Sequence, residues 1–72
     1  MKYEVGTLII GTSADKRATA FGLITETLPE KQQYRISVQR TYKDGRIEWD
    51  SMHCDEQQVI AWEKDYGYTF SK

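Results

Sequence analysis

The chain has 72 residues and a formal net charge of −1, with 10 lysines and arginines against 11 aspartates and glutamates. A domain of this size buries a modest core, which leaves little room for a deep enclosed active site. The mixed, near-neutral charge excludes a strongly basic arm for nucleic acid and a uniformly acidic surface that imitates one. We therefore expect one domain over residues 1–72, without catalytic residues.

The cysteine and histidine content and the hydropathy of the chain predict its cellular compartment and whether it binds metal. The single cysteine, Cys54, cannot form an internal disulfide, and a lone thiol in a small domain is typical of a reducing compartment. His53 is the only histidine and is adjacent to it, so no metal site or cofactor is expected. No apolar run approaches the roughly 20 residues that span a bilayer. We expect a cytoplasmic protein without membrane contact.

The first part of the chain contains two strand-like segments separated by a polar stretch. Residues 5–10 form a short apolar run that favours a strand, and residues 11–17 favour a loop. That loop lacks the glycines and the Lys-Ser/Thr pair of a phosphate-binding loop. Residues 19–28 predict a second strand, in which Gly22 indicates a bend, a bulge or a close backbone approach and Pro29 marks the end.

Two alternating segments, residues 33–42 and 46–52, predict a hairpin. Asp44-Gly45 lies between them and is favoured in two-residue loops of type I′. In that register Tyr42 pairs with Ile47 and Arg40 with Trp49, so the apolar residues share the inner face with Tyr34, Ile36 and Val38. A three-residue loop would instead set Ile47 and Trp49 opposite Thr41 and Gln39. The match of apolar faces favours the two-residue loop.

Residues 55–66 change to a helical period. Asp55 is a candidate N-cap in a capping-box arrangement, and Gly67 is well placed to stop the helix. Residues 68–70 are a candidate closing strand. The apolar stripe of the helix, which should pack on the sheet, consists of Val59, Trp62 and Tyr66.

The candidate contact residues are basic and aromatic side chains around the predicted hairpin. Arg40 has the core-side parity of its strand, so it must lie at an open end of the core, stack on Trp49 or Tyr42, or meet a carboxylate. Glu48 and Asp50 share the opposite, polar face. An exposed arginine–aromatic group has the composition of interface hot spots. The full candidate set is Arg35, Arg40, Tyr42, Lys43, Arg46 and Trp49.

A pattern of turn glycines and strand hydrophobics runs through the first fifty residues or so. It reads Val5-Gly6-x-Leu8-Ile9, Gly22-Leu23-Ile24-x-Glu26, Tyr34-Arg35-Ile36-x-Val38, then Asp44-Gly45 and Trp49. This pattern resembles the small SH3-like barrels encoded by tailed bacteriophages. The resemblance implies a five-stranded, strongly bent sheet that binds another macromolecule through loops and exposed aromatics. The predicted C-terminal helix departs from the family pattern, because it is longer than the usual single turn. Together these features predict a mainly β, small α+β fold, an SH3-like bent antiparallel sheet or barrel of roughly four to five strands with one C-terminal helix. An open four-stranded sheet with the helix across one face is the alternative.

These features favour a non-catalytic protein-binding module or small inhibitor that occupies a partner protein's surface. If it is phage-encoded, as the resemblance implies, it acts in the host cytoplasm. A homo-oligomer is also compatible, because a small domain gains stability when an edge strand pairs with a copy of itself.

Two other functions stay open. The first is a nucleic-acid-binding barrel, with Trp49 or Tyr42 stacking on bases and an affinity that falls steeply with salt. The second is a small enzyme or metal protein, which requires an enclosed cavity or a bound ion. The basic residues that the nucleic-acid alternative uses are Arg35, Arg40, Lys43 and Arg46.

Overall fold

The computed structural model describes residues 1–12 and 16–72, and these form one antiparallel sheet of five strands in the order β4-β3-β2-β1-β5 with one α-helix. Because β4 and β5 are both edges, the sheet is not closed. The mainly β, small α+β prediction is confirmed, as an open sheet rather than a barrel. The elements are β1 Leu8–Thr12, β2 Ala18–Leu28, a 3-10 turn Pro29–Lys31, β3 Gln33–Tyr42, β4 Ile47–Asp55, α1 Glu56–Lys64 and β5 Thr69–Ser71.

The core lies between one face of the sheet, called here the inner face, and α1. Side chains alternate along each strand, so buried residues two apart share this face. The predicted grouping of Tyr34, Ile36 and Val38 is confirmed, and Val59 of α1 is buried against them. The buried apolar cluster consists of Tyr3, Ile9, Ile24, Tyr34, Ile36, Val38 and Val59.

The first two strands differ from their predicted bounds. β1 begins later because a turn precedes it, in which Thr7 N–H donates to the Glu4 carbonyl at 3.1 Å. It also extends through Gly11 and Thr12, which the sequence assigned to a loop. Residues 13–15 of that predicted loop lie outside the described residues. β2 ends immediately before Pro29, as predicted.

Gly22 lies on the inner face of β2, where the Ile36 side chain of β3 approaches it closely. A Cβ at this position would lie 3.2 Å from Ile36 Cγ2, which is tighter than ordinary packing contact. The bulge lies further along the strand, between Ile24 and Glu26, where the β2–β3 register shifts. The sequence therefore predicted the close approach at the correct residue but did not locate the bulge.

The β3–β4 hairpin has a three-residue loop, and the predicted two-residue loop is wrong. Tyr42 N–H donates to the Arg46 carbonyl at 2.8 Å, and Gly45 N–H donates to the Tyr42 carbonyl at 3.0 Å. A type I′ turn requires positive φ at both central residues. Gly45 has φ +89°, but the φ of Asp44 is not positive. The Asp44 carboxylate accepts the Arg46 N–H at 2.9 Å, which stabilises the longer loop.

The longer loop shifts the register by one residue and reverses the faces of β4. Ile47 now pairs with Thr41, and Trp49 pairs with Gln39. Ile47 is 51% exposed and Trp49 is 73% exposed, because both lie on the face opposite α1. Met52 and Cys54 take the inner positions beside the core instead.

Gly45→Ala should lower the free energy of unfolding by about 1 kcal/mol, because a Cβ is disfavoured at the left-handed φ of this loop. Lys43→Ala in the same exposed loop is the control, and its expected change is within about 0.5 kcal/mol. Urea unfolding of both variants measures the difference. Equal effects of the two substitutions would contradict the loop geometry.

The helix is shorter than predicted, and its capping differs. Asp55 is the N-cap residue, but its side chain makes no capping hydrogen bond, and its Oδ1 accepts from Gln33 Nε2 at 3.0 Å. Trp62 packs against the core as expected. Tyr66 follows the end of α1 and is 64% exposed, so its predicted packing on the sheet is wrong. The predicted closing strand is confirmed as β5, which pairs with β1.

Candidate functional site

The sheet surface opposite α1, called here the outer face, carries large apolar side chains. α1 packs on the inner face, and it is the one α-helix in residues 1–12 and 16–72. Sheets of this kind commonly expose a polar face to water, so apolar residues there need a reason. The apolar side chains of the outer face are Leu8, Ile10, Phe21, Leu23, Ile47 and Trp49.

Cross-strand registers arrange part of the outer face as a row. Ile10 pairs with Phe21, Phe21 pairs with Gln39, and Gln39 pairs with Trp49. At about 4.8 Å between neighbouring strands, this row spans roughly 14 Å. Trp49 is the most exposed of the large hydrophobic residues, and it lies at the end of the row on the edge strand. The row therefore contains three apolar side chains and one polar side chain, Gln39, and polar residues such as Ser37 and Thr41 flank it on β3.

Arg35 also lies on the outer face, near the opposite end of β3 from the hairpin. Its Nε donates to His53 Nε2 at 3.3 Å and lies 3.7 Å from Glu26 Oε1. The guanidinium is thus held in a local network of side chains. Its seven-residue separation from Tyr42 along β3 corresponds to about 23 Å.

Arg40 lies on the inner face at the open end of the core. Its Nη1 is 3.5 Å from Asp50 Oδ2, so of the alternatives expected for this arginine the structure shows the open end of the core and the meeting with a carboxylate. Its direct cross-strand neighbour is Glu48 rather than Trp49. Glu48 and Asp50 therefore lie on the inner side with Arg40, and not on the polar face that the two-residue loop implied.

Tyr42 and Arg46 form a compact group beside the hairpin loop. The Tyr42 hydroxyl donates to Glu48 Oε1, and this hydrogen bond raises the pKa of Tyr42. The Arg46 guanidinium carbon lies 4.4 Å from the centre of the Tyr42 ring, a cation–π distance. Arg46 Nε is also 3.7 Å from Asp44 Oδ2.

Lys43 connects the hairpin to the segment before β2. Its N–H donates to the Arg17 carbonyl at 3.1 Å, which places it next to a second basic residue. The two basic spots that are separate in sequence, residues 16–17 and residues 43–46, therefore adjoin at one end of the sheet.

The six candidate residues do not form a single patch. Two point to the inner side, two lie on the outer face, and two belong to the hairpin loop or its end. These pairs are, in that order, Arg40 with Tyr42, Arg35 with Trp49, and Lys43 with Arg46.

A mostly apolar cleft of about 180 Å³ opens on the inner face beside α1. The Tyr68 ring lies so close to Gly11 that a Cβ there would be 2.6 Å from it. Ligand pockets for drug-sized molecules have roughly 300–1,000 Å³, so this cleft matches a single apolar side chain better than a substrate. Its lining residues include Gly11, Ala20, Gly22, Arg40, Trp62 and Tyr68.

A network of tyrosines and glutamates joins residues near the start of the chain to α1. Tyr3 N–H donates to the Tyr34 hydroxyl at 3.0 Å, and that hydroxyl donates to Glu56 Oε2 at 2.5 Å. The Tyr3 hydroxyl donates to Glu63 Oε1 at 2.7 Å. Burial raises the pKa of both tyrosines, whereas the Tyr34 hydrogen bond lowers the pKa of Glu56. Sequence reasoning missed this network, because no local pattern links residues so far apart.

Metal binding and membrane spanning find no support in the part of the chain that the structure describes. It contains no group of three or more His, Cys, Asp and Glu side chains able to hold a metal ion. None of its helices has the length and apolar character needed to cross a bilayer. Comparisons with protein-family models, curated proteins and solved structures found no match. The chemistry of the surfaces is therefore the basis for assigning a function.

Proposed function

We propose that this protein is a non-catalytic protein-binding module whose contact surface is the outer face, centred on Trp49. The observation that carries the proposal is the 73% exposure of Trp49 on the edge strand, with a half-exposed Ile47 two residues away. Tryptophan is enriched at interface hot spots because covering its ring removes a large apolar area from water. A partner that covers this ring gains that free energy.

The chemistry of the outer face favours a partner surface that is apolar and close to neutral. Leu23 and Ile47 extend the apolar area on either side of β3. Arg35 is engaged by Glu26 and His53, so it offers little uncompensated charge to a ligand. Binding of such a partner should depend weakly on salt.

As a small inhibitor, the protein would act through the same contact, by covering a surface that its partner needs. A phage source, which the resemblance implies, would make that partner a protein of the host cytoplasm. No bound cofactor is required, because the effect comes from occupying a surface.

Nucleic acid is the second candidate partner, and the adjoining basic residues at the hairpin end are the observation that favours it. Lys43 and Arg17 are neighbours there, as their hydrogen bond shows. Arg40 and Arg46 each lie near a carboxylate, however, which reduces the positive charge available to phosphates. A protein partner is favoured because the exposed apolar side chains of the outer face, Leu23, Ile47 and Trp49, have no role in phosphate binding.

Trp49→Ala should weaken capture of the protein partner at least about 30-fold, the effect of losing a hot-spot side chain. Tyr66→Ala is the matched control, because Tyr66 is similarly exposed at 64% but lies at the end of α1. Each variant and the unchanged protein would serve as bait, with captured proteins quantified by mass spectrometry. We expect one protein that the unchanged bait and Tyr66→Ala retain and Trp49→Ala loses.

Two results would contradict the proposal. The first is a specific partner retained equally by Trp49→Ala. The second is the absence of any specific protein together with tight binding of a short single-stranded oligonucleotide at low salt that declines steeply as salt rises. The second result would support the nucleic-acid alternative.

A further inference from the structure

β4 is a long open edge whose unpaired backbone groups alternate along the strand. Because Tyr42 and Arg46 form a hydrogen-bonded pair, the even-numbered residues of β4 direct their N–H and C=O groups to β3. The odd-numbered residues, from Ile47 to Asp55, direct theirs away from the sheet. The Ser51 N–H agrees with this assignment, because it donates to the Asp50 side chain at 2.8 Å.

We propose that two copies of this protein pair along β4, antiparallel, with the two-fold axis at Ser51. The sheet of one copy then continues into the sheet of the other. This goes beyond the proposed function, because the self-association uses the strand edge whereas the protein partner contacts the outer face.

Strand length favours β4 over the other edge. β4 has nine residues, whereas β5 has three. A three-residue edge offers too few donors and acceptors for stable pairing. Long unpaired edges readily template pairing with another strand, and pairing with an identical strand is the simplest closed solution.

The charges of β4 select one register. With the axis at Ser51, Asp50 faces Met52 of the second copy and Glu48 faces Cys54 of the second copy, so no like charges are directly opposite. An axis at Asp50 would set that carboxylate against its own copy. An axis at Trp49 would set Glu48 against Asp50 of the second copy, and like charges directly opposite are destabilising.

Strand length excludes shifts in the other direction. Ser51 is the midpoint of Ile47–Asp55, so an axis there pairs the whole strand. Moving the axis toward α1 leaves Ile47 and its neighbours without partners. The same register places Trp49 opposite His53 of the second copy on the outer face, where two rings can pack.

Pairing needs one local exchange of hydrogen bonds. The Ser51 N–H must leave Asp50 Oδ1 and donate to the Ser51 carbonyl of the second copy. Asp50 keeps its other oxygen, Oδ2, near Arg40 Nη1 at 3.5 Å. The Asp50 carboxylate therefore retains a charged partner after the exchange. In the monomer, the Ser51 N–H keeps its hydrogen bond to Asp50.

The oligomeric state tests the proposal directly. We expect light scattering to report a monomer at about 5 μM and twice the mass of one chain at about 500 μM, as mass action requires for a small interface. Ser51→Pro should abolish the dimer, because it removes the central donor, and proline is tolerated at outward positions of edge strands. Ser51→Ala keeps the backbone N–H and should remain a dimer. Circular dichroism shows whether each variant is folded.

A cysteine trap tests the register. In a Cys54→Ser background, Ser51→Cys places two thiols across the axis, where Cα atoms about 5.5 Å apart suit a disulfide. His53→Cys is the matched control, because its two Cα atoms would be about 14 Å apart along the strands. With oxidised glutathione as the oxidant, Ser51→Cys should form a covalent dimer at least about tenfold faster.

Three results would overturn the inference. They are a monomer at every concentration, a dimer that Ser51→Pro leaves intact, and equal trapping by Ser51→Cys and His53→Cys. Each result is independent of whether a protein partner for Trp49 has been found.

Discussion

Ile36→Ala is expected to lower the free energy of unfolding by about 3 kcal/mol, whereas Ile47→Ala should cost less than about 1 kcal/mol. Ile36 is fully buried on the inner face, so its truncation loses apolar burial and leaves a cavity. Ile47 is half-exposed on the outer face, where truncation leaves no cavity. A loss of this size is a large fraction of the stability of a small domain.

Urea unfolding followed by circular dichroism measures both variants, with the midpoint and slope compared to the unchanged protein. The pair is matched in chemistry, since only the face of the sheet differs. If Ile47→Ala cost as much as Ile36→Ala, Ile47 would have to lie in the core, and the three-residue loop would be wrong. The measurement should be made at low protein concentration, so that self-association does not contribute.

Tyr34→Phe is the second large effect, with an expected loss of about 1–3 kcal/mol at neutral pH. The change removes one hydroxyl that serves two partners. Tyr3 N–H loses its acceptor in a buried place, and Glu56 loses a donor. Leaving a buried donor unpaired costs more than an average hydrogen bond contributes. Tyr42→Phe is the control, because its hydroxyl bonds Glu48 at an exposed site, and we expect a much smaller change in the free energy of unfolding.

The pH dependence of Tyr34→Phe follows from the directions of two pKa shifts. The folded-state pKa of Glu56 is below its ordinary value of 4.5, so this stabilisation is present above pH 4.5 and is lost as pH falls through the folded pKa. The pKa of Tyr34 is above its ordinary value of 10.0, so its stabilisation is present below pH 10.0 and is lost as pH rises through the folded pKa.

The difference in stability between the unchanged protein and Tyr34→Phe should therefore be largest between these limits. Urea unfolding at about pH 3, 7 and 11 measures it, with Glu56→Gln as a second variant to isolate the acid limb. A difference that stays constant over this range would mean that the Tyr34 hydroxyl and the Glu56 carboxylate are not coupled.

The strands, the helix and the core of β3 could be predicted from sequence because each depends on a local period. The alternation of Tyr34, Ile36 and Val38 and the helical spacing of Val59 and Trp62 describe residues that touch the same core. Pro29 also ended β2 as expected, since proline has no N–H for the sheet. Local chemistry determines these features, so a single sequence is enough.

The hairpin register could not be predicted, because Asp44-Gly45 fits both loops. The observed turn has Lys43 and Asp44 at its centre and Gly45 at positive φ after them, so it contains the same Asp-Gly pair that a type I′ turn would place at its centre. The match of apolar faces favours the shorter loop. The buried residues of β3, however, end at Val38, so burial has little influence at the hairpin end. Turn hydrogen bonds decided the register there.

The candidate site could be predicted only in part, because the positions of its residues also depend on the hairpin register. The sequence indicates Trp49 and Arg40 as candidates, and in the structure Trp49 is 73% exposed and Arg40 forms an ion pair. Their placement together depended on the register and was wrong. The tyrosine–glutamate network depends on contacts between distant parts of the chain, which no periodic pattern encodes.

The hairpin end of the sheet extends past the last buried residues of β3 and carries its apolar side chains outward. Residues such as Ile47 and Trp49 therefore contribute little to the free energy of unfolding. Selection can exchange them for other side chains without losing the domain. The proposed contact surface and the buried core are therefore separable, so substitutions could change the proposed partner while the architecture stays the same.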